Sequence, residues 1–298
     1  MSKNIDFCIP YISSGIKSLE YLIGNLIVTT TKLNRLRIII SYHNDNELKI
    51  LESSSAFKYI YKTIHAPIVE NDNILFKPSY NHSVAINSLL QAVESEIVII
   101  SDSDMAFLKY GWDEIIQYNL DYNYEIIGAC YANYEFGMPI NNKYMPFKKY
   151  QNLPNLSFFC TKKKIIKDFF NNRLTYFDEY LLEGSVPFRF INTKKLSAEN
   201  NLPLGTLQWL DTGYEIPETI YKNKISCITL NFDYNQTIFP LDEKINLLSR
   251  PEVFLFPISK IPFLAHFKKT SSKLKEDHLN NEVIKNFDRV SNYLKDLV

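Results

Sequence analysis

Short apolar runs alternate with segments of helical apolar spacing over the first hundred residues, and this order constrains the fold more than any other feature. The run over 36–42 is apolar without alternation and rich in isoleucine, which is typical of a parallel strand buried on both faces. Strands are predicted over 5–10, 36–42, 59–65 and 96–101. Helices are predicted over 16–32, 46–57 and 81–94. This βαβαβαβ order predicts an α/β fold with a mostly parallel sheet flanked by helices.

The second half of the chain is less regular. A loop rich in Gly, Pro and Asn is expected at about 132–155, and irregular chain at 184–206. Strands are predicted over 125–131, 156–161 and 225–231, and helices over 162–171, 215–222 and 273–297. The last of these is amphipathic, so we expect a C-terminal helix that packs through one face.

Composition excludes several classes of function. Among 298 residues, 33 are Lys or Arg and 33 are Asp or Glu, so the net charge is zero, which argues against nucleic-acid binding as the main function. We expect no signal peptide, no transmembrane segment and no polybasic membrane anchor. The four cysteines lie far apart in apolar runs, which predicts buried free thiols in a reducing cytoplasm.

Polar residues follow the predicted strands at the points where ligands of such sheets bind. In open α/β sheets, ligands lie beyond the carboxyl ends of the strands. The residues after the first two predicted strands are therefore candidates for ligand contact, and we single out Pro10, Tyr11, Ser13, His43 and Asp45.

The third such segment, Asp102-Ser103-Asp104, is the most informative. Two carboxylates leave an apolar strand with no basic residue nearby before Lys109, so their mutual repulsion favours a bound cation. A hard divalent ion with oxygen ligands meets that need and can bridge a ligand's diphosphate. The alternative is an Asx turn followed by a helix cap.

A resemblance adds to this interpretation. The run from Tyr80 to Asn87, followed by 97–104 and by the segment 107–113, resembles the GT-A-fold glycosyltransferases of the family 2 type. The resemblance implies a nucleotide-sugar donor, expected to be a UDP-sugar, with Mn²⁺ or Mg²⁺. It places Asn81, Asn87, Asp102 and Ser103 among the donor-binding residues. It also implies one GT-A-like domain over 1–268, divided into a nucleotide-binding half (1–104) and an acceptor half (105–268), with a C-terminal helical extension over 269–298.

A second acidic position lies downstream. Asp211 precedes a predicted helix, and the resemblance implies that it is the base that deprotonates the acceptor hydroxyl in an inverting transfer. The alternative is that Asp211 caps the helix, and Glu215 and Asp178 are weaker candidates for the base. Trp209, Tyr214 and Trp112 are candidates for stacking on an acceptor sugar, although each is also a plausible core residue.

A late histidine completes the candidate set. His266 follows an apolar run and is expected to be a third metal ligand beside Asp102 and Asp104. Lys268 and Lys273 come just after it and are expected to contact the donor's phosphates. The alternative is a core histidine next to a solvated lysine cluster.

The sequence thus predicts a metal-dependent glycosyltransferase of polysaccharide biosynthesis, with a glycan or lipid-linked acceptor. We expect it in the cytoplasm, with peripheral contact at the inner membrane surface as an option. The alternatives are a nucleotidyltransferase, which usually has a Gly-rich basic loop after its first strand, and a non-catalytic nucleotide-sugar-binding protein. A retaining reaction is the mechanistic alternative.

Overall fold

The computed structural model describes residues 3–12, 15–68, 77–130, 153–174, 215–233, 238–239, 251–267 and 277–297. The strands are β1 (Ile5–Pro10), β2 (Leu36–Tyr42), β3 (Ile60–His65), β4 (Ile97–Ser101), β5 (Met105–Phe107), β6 (Ile126–Ala129), β7 (Phe158–Lys162), β8 (Cys227–Phe232), β9 (Glu252–Leu255) and β10 (Pro262–His266). The α-helices are α1 (Ile16–Thr29), α2 (Asp45–Ser53), α3 (Lys77–Ala92), α4 (Trp112–Tyr122), α5 (Lys163–Phe170), α6 (Glu215–Asn223) and α7 (Asp277–Lys295).

The strands form a ten-stranded sheet in the order β3-β2-β1-β4-β7-β6-β8-β9-β10-β5. The first four in this order are parallel, as the βαβ pattern predicted. β7 and the strands from β9 to β5 pair antiparallel with their neighbours, while β6 and β8 are parallel. The predicted α/β class with flanking helices is confirmed, and its continuous block of four parallel strands, β3-β2-β1-β4, comes from the part of the chain that ends at Ser101.

Two hydrophobic layers explain why the central strands are apolar on both faces. In β1, Phe7 and Ile9 point into the layer covered by α1 and α4, while Cys8 points into the layer covered by α3, α5 and α6. Successive strand residues face opposite sides, so a strand between two helical layers needs apolar side chains on both faces. Each fully buried Leu, Ile or Phe side chain contributes about 1.5 to 3 kcal/mol, which makes this core the main source of stability.

The C-terminal helix α7 packs onto the sheet region formed by β5, β9 and β10. Phe287, Val290 and Leu294 share a buried cluster with residues of those strands. Tyr21 of α1 stacks on Phe287 with ring centroids 4.2 Å apart, and its hydroxyl donates to the Phe287 carbonyl at 2.9 Å. The amphipathic pattern therefore correctly predicted a C-terminal helix that packs through one face.

The cysteines agree with the expectation of free thiols in largely buried positions. All four cysteines are free, and burial raises the pKa of the Cys8 and Cys160 thiols well above the usual value. Cys227 is less deeply buried than the other three. None of the helices in the described part of the chain has both the length and the apolar character needed to cross a bilayer.

A buried ion pair joins the amino-terminal ends of β1, β2 and β4. Both Asp6 carboxylate oxygens accept from the Arg37 guanidinium, at 2.7 and 2.9 Å. The backbone N–H groups of Glu94 and Ser95 donate to the same carboxylate at 2.7 and 2.8 Å. Burial raises the pKa of Asp6, but these donors outweigh it, so the pKa lies below its usual range. The turn before β4 is therefore fixed by a side chain of β1.

Replacing Asp6 with asparagine is expected to lower the free energy of unfolding by about 3 kcal/mol, because Arg37 then loses its buried partner. Urea denaturation measures this change. Glu94→Gln is the matched control, since Glu94 contacts the same Arg37 at 3.0 Å but is 55% exposed, and it should cost less than about 1 kcal/mol. A D6N protein as stable as the wild type would contradict this role.

The same pair predicts a pH dependence of stability. Because the folded-state pKa of Asp6 is depressed, its stabilising effect is complete above the unfolded-state pKa of about 3.9 and is lost as pH falls through the folded-state value. The stability difference between wild type and D6N should therefore be constant from about pH 8 to 5 and shrink below about pH 4. A difference that stays constant down to pH 3 would be inconsistent with the pair.

Candidate metal centre

The carboxyl end of β4 carries the two predicted carboxylates out of the core. All five residues of β4 are buried, and Asp102 is the first residue after the strand. The Asp102 N–H donates to the Ser157 carbonyl at 3.0 Å, which continues the pairing between β4 and β7 for one more residue. The side chain of Asp102 is 30% exposed, so it reaches the surface at the edge where ligands of α/β sheets bind.

Pairing between β5 and β10 brings His266 to Asp104. Met105 lies opposite His266 in this antiparallel pair, and the Phe267 N–H donates to the Asp104 carbonyl at 2.7 Å. As a result, the imidazole Nε2 of His266 lies 3.3 Å from Asp104 Oδ1, although the two residues are 162 positions apart in the sequence. Backbone hydrogen bonds therefore fix this contact.

Asp102, Asp104 and His266 form one cluster. Ligand atoms of these three side chains all lie within 4.8 Å of one another, and each side chain is partly exposed. The sequence predicted these three residues as neighbours, and the structure brings them together. Two carboxylates and an imidazole are a ligand set suited to a divalent cation, and partial exposure leaves room for a further ligand.

Electrostatics within the cluster are dominated by the carboxylates. Burial lowers the pKa of His266, but Asp104 on one side and Glu252 on the other outweigh it and hold the pKa well above its usual range. Both carboxylates therefore favour the charged form of the imidazole. A divalent ion held by this cluster would supply positive charge there in place of the proton.

Glu252 is a site residue that the sequence analysis missed. It lies opposite His266 in the antiparallel pair of β9 and β10, and its Oε2 is 3.3 Å from His266 Nδ1. The available signal was the pair of largely apolar runs around 252–256 and 262–267, separated by the five residues 257–261, a loop length that occurs in hairpins. Reading that hairpin would have placed an acidic side chain beside the histidine.

Two further acidic residues, which precede β4, pair with basic side chains away from this cluster. Glu94 pairs with Arg37 at 3.0 Å and Glu96 pairs with Lys3 at 2.5 Å, both at the amino-terminal end of β4. With about 3.3 Å per residue, this end lies roughly 17 Å from Asp102. His82 of α3 lies near the cluster of acidic residues and His266, with its Nε2 3.4 Å from Asp102 Oδ1.

The turn between β1 and α1 lies beside the Asp-Ser-Asp segment. A side chain carbon added at Gly15 would be 3.4 Å from the Ser103 hydroxyl, which shows how closely the start of α1 approaches. Pro10 is the last residue of β1 and Tyr11 is the first residue of this turn, and both are buried. The Tyr11 hydroxyl has no hydrogen-bond partner in the described part of the chain, and neither has the Ser41 hydroxyl on the neighbouring strand. Buried polar atoms of this kind gain from a bound ligand or water.

His43 and Asp45 have different environments. His43 is 6% exposed, its Nδ1 lies 2.9 Å from the Ala66 carbonyl, and its backbone N–H donates to Glu47 at 2.7 Å. It therefore ties the end of β2 to the end of β3. Asp45 is exposed in the first turn of α2. Contact of either residue with a ligand stays a prediction.

The two predicted asparagines lie on α3. Asn87 is 8% exposed and faces the core. Asn81 lies more than one turn closer to the amino-terminal end of the helix and is partly buried. Its Oδ1 has no hydrogen-bond partner among the residues that the structure describes. Asn81 is next to His82, so it lies at the same end of the helix as the cluster.

The prediction that Trp112 stacks on an acceptor sugar is wrong. Its side chain is fully buried, its ring stacks on Phe107 with centroids 4.0 Å apart, and it meets the Phe7 ring edge-on at 5.9 Å. Trp112 is therefore a core residue at the start of α4. The remaining predicted site residues lie outside the described residues, and these are Ser13, Trp209, Asp211, Tyr214, Lys268 and Lys273.

Comparisons with known proteins give only structural likenesses. No protein-family model matches the sequence, and no curated protein matches it. A mannosyltransferase from Pyrobaculum calidifontis, PcManGT, solved with GDP-Man and Mn²⁺, is 10% identical with a TM-score of 0.40. The match covers 56% of this chain and 46% of that one.

A second similar structure is S. aureus TarS 1–349, solved alone and in complex with UDP-GlcNAc. Both are 14% identical to the chain, with a TM-score of 0.37 and 55% of this chain covered. The match spans slightly less than half of those chains, 48% and 47% respectively. Because all these TM-scores are low, the likenesses carry no conclusion about the function of this chain.

Proposed function

We propose that the protein is a metal-dependent glycosyltransferase that moves a sugar from a nucleotide-diphosphate donor, a UDP-sugar, to a hydroxyl of a glycan or lipid-linked acceptor. One observation carries the proposal: ligand atoms of Asp102, Asp104 and His266 lie within 4.8 Å of one another. They do so at the carboxyl end of a central strand, where α/β sheets bind their ligands.

The cluster fits a divalent cation. Two ligands of one octahedral ion at about 2.1 Å lie roughly 3 to 4 Å apart, and 3.3 Å separates Asp104 Oδ1 from His266 Nε2. Hard carboxylates suit Mg²⁺ and Mn²⁺, and the imidazole favours Mn²⁺ as the softer of the two. When bound, the ion supplies positive charge that stabilises the diphosphate as it leaves.

The chain's own residues have separate proposed roles toward the donor. Ser103 and the β1–α1 turn would contact the diphosphate of the donor. Lys268 and Lys273 would add positive charge on flexible side chains, which suits a leaving diphosphate. The donor would also contact residues at or just after the ends of β1 and β2, namely Pro10, Tyr11, Ser13, His43 and Asp45, and the two asparagines of α3, Asn81 and Asn87. Supporting this, Tyr11 belongs to the turn that adjoins Ser103, and among the described residues its hydroxyl has no hydrogen-bond partner.

Asp211 is the proposed base. Its carboxylate would take the proton from the acceptor hydroxyl as that oxygen attacks the anomeric carbon, which inverts the configuration. Trp209 and Tyr214, close to it in sequence, would stack on the acceptor. We further propose that the protein builds polysaccharides in the cytoplasm, including at the inner membrane surface, where lipid-linked acceptors lie. The four free cysteines support a reducing compartment.

The function is tested by following thermal unfolding with UDP or GDP, each with and without Mn²⁺, and then donor hydrolysis. A ligand at 100 times its Kd stabilises the fold by about 2.7 kcal/mol, so UDP with Mn²⁺ should raise the Tm by several degrees more than either alone. UDP-sugars should then be hydrolysed slowly in the presence of Mn²⁺. Binding without any turnover would favour the non-catalytic alternative, and pyrophosphate release from a nucleoside triphosphate would favour a nucleotidyltransferase.

A further inference from the structure

His266 has an acidic neighbour on each side of its ring. Nε2 lies 3.3 Å from Asp104 Oδ1, and Nδ1 lies 3.3 Å from Glu252 Oε2. The side chains of His266 and Glu252 are 13% and 11% exposed, so both are largely shielded from water. The two carboxylates therefore contact different nitrogens of one imidazole, and they need not have the same function.

Sheet pairing fixes the position of Glu252. Glu252 and His266 are directly opposite in the antiparallel pair of β9 and β10, and the strands are held at this point by backbone hydrogen bonds. Side chains of directly opposite residues share one face of the sheet with Cβ atoms about 5 Å apart. Register therefore places the two side chains next to each other on one face of the sheet.

Glu252 is placed to act through the histidine. The group whose ligand atoms lie within 4.8 Å of one another contains Asp102, Asp104 and His266 but does not contain Glu252. Glu252 touches the ring nitrogen opposite to the one that faces Asp104. A carboxylate in this position accepts the Nδ1 hydrogen, which fixes the tautomer, leaves the Nε2 lone pair for a metal ion and makes that nitrogen a better donor.

We infer that Glu252 is a positioning residue for the metal centre: it accepts the Nδ1 hydrogen of His266 and holds Nε2 toward Asp102 and Asp104. The inference rests on the metal site of the proposed function. It adds a fourth residue, from a strand that the sequence did not predict, to the set that determines metal affinity. Loss of such a partner typically lowers metal affinity about 10- to 100-fold.

A double-mutant cycle on Mn²⁺ affinity tests this. Free Mn²⁺ is followed by electron paramagnetic resonance for wild type, E252Q, H266A and the double variant. E252Q should bind Mn²⁺ about 10- to 100-fold more weakly than wild type. In the H266A background, which keeps both aspartates, the same substitution should change affinity by less than about twofold, because Glu252 acts through the ring.

Controls separate the possible outcomes. E96Q removes the same charge at the other end of β4 and should bind Mn²⁺ as wild type does. Melting in EDTA checks that E252Q is folded. E252Q binding within twofold of wild type would overturn the inference, and so would an equal loss in the H266A background, which would show that Glu252 acts without the histidine. Wild-type protein that binds no Mn²⁺ would instead overturn the metal site of the proposed function.

Discussion

Replacing Asp104 with asparagine is expected to lower donor turnover by at least about 100-fold and to remove the stabilisation by Mn²⁺. Asp104 is 15% exposed and faces His266, so its charge acts at short range with little screening by water. A bound cation contributes several kcal/mol of charge stabilisation, and each 1.36 kcal/mol corresponds to a factor of ten in rate. Steady-state donor hydrolysis and Mn²⁺-dependent thermal shifts measure the two effects.

The D104N substitution should leave the fold intact, which makes the result interpretable. The contact with Phe267 uses the backbone carbonyl of residue 104, so strand pairing does not depend on the carboxylate. Glu114→Gln is the matched control. Glu114 is an exposed acidic residue of α4, and its carboxylate pairs with Lys32 at 3.0 Å. Normal metal dependence in D104N would show that the Asp-Ser-Asp segment is a turn and no more.

Replacing Asp211 with asparagine is expected to lower the rate of sugar transfer by about 10²- to 10⁴-fold, the range typical of a lost general base. Donor binding and Mn²⁺ affinity should stay near the wild-type values, since the proposed base acts on the acceptor hydroxyl. Initial rates with a saturating acceptor, measured beside Mn²⁺ titrations, separate the two roles.

Glu215→Gln is the comparison for the base assignment. Glu215 is the first residue of α6, four positions after Asp211, and carries the same charge. If D211N transfers sugar at a near-normal rate, Asp211 is not the base. If E215Q shows the large loss in its place, the base belongs to α6 itself.

The parallel half of the sheet could be predicted because its signals are local. The bounds of β1 and β2 agree with the apolar runs at 5–10 and 36–42. Helix α3 begins four residues before its predicted start at 81, with Pro78 in its first turn. Proline is tolerated in the first turn because the N–H groups of that turn have no partner within the helix. Pro78 therefore lies inside α3 and does not mark its start.

The strands around the histidine could not be predicted in the same way. β5 has three residues, which is too short for any periodicity to show, and it exists because β10 pairs with it from more than 150 positions away. His266 was found from its residue type and surroundings, whereas Glu252 depended on the register of β9 against β10. Local patterns thus indicated the candidate metal ligands. Long-range strand pairing, which local patterns do not show, places Glu252 beside one of them.

A crystal structure with UDP and Mn²⁺, measured for the anomalous scattering of manganese, tests the central claim most directly. A bound ion has ligand distances of about 2.0 to 2.3 Å, so we predict one strong peak in contact with carboxylate oxygens of Asp102 or Asp104 and with Nε2 of His266. The diphosphate of UDP should be its remaining ligand. A manganese peak away from these side chains, or UDP bound with no manganese beside them, would contradict the account.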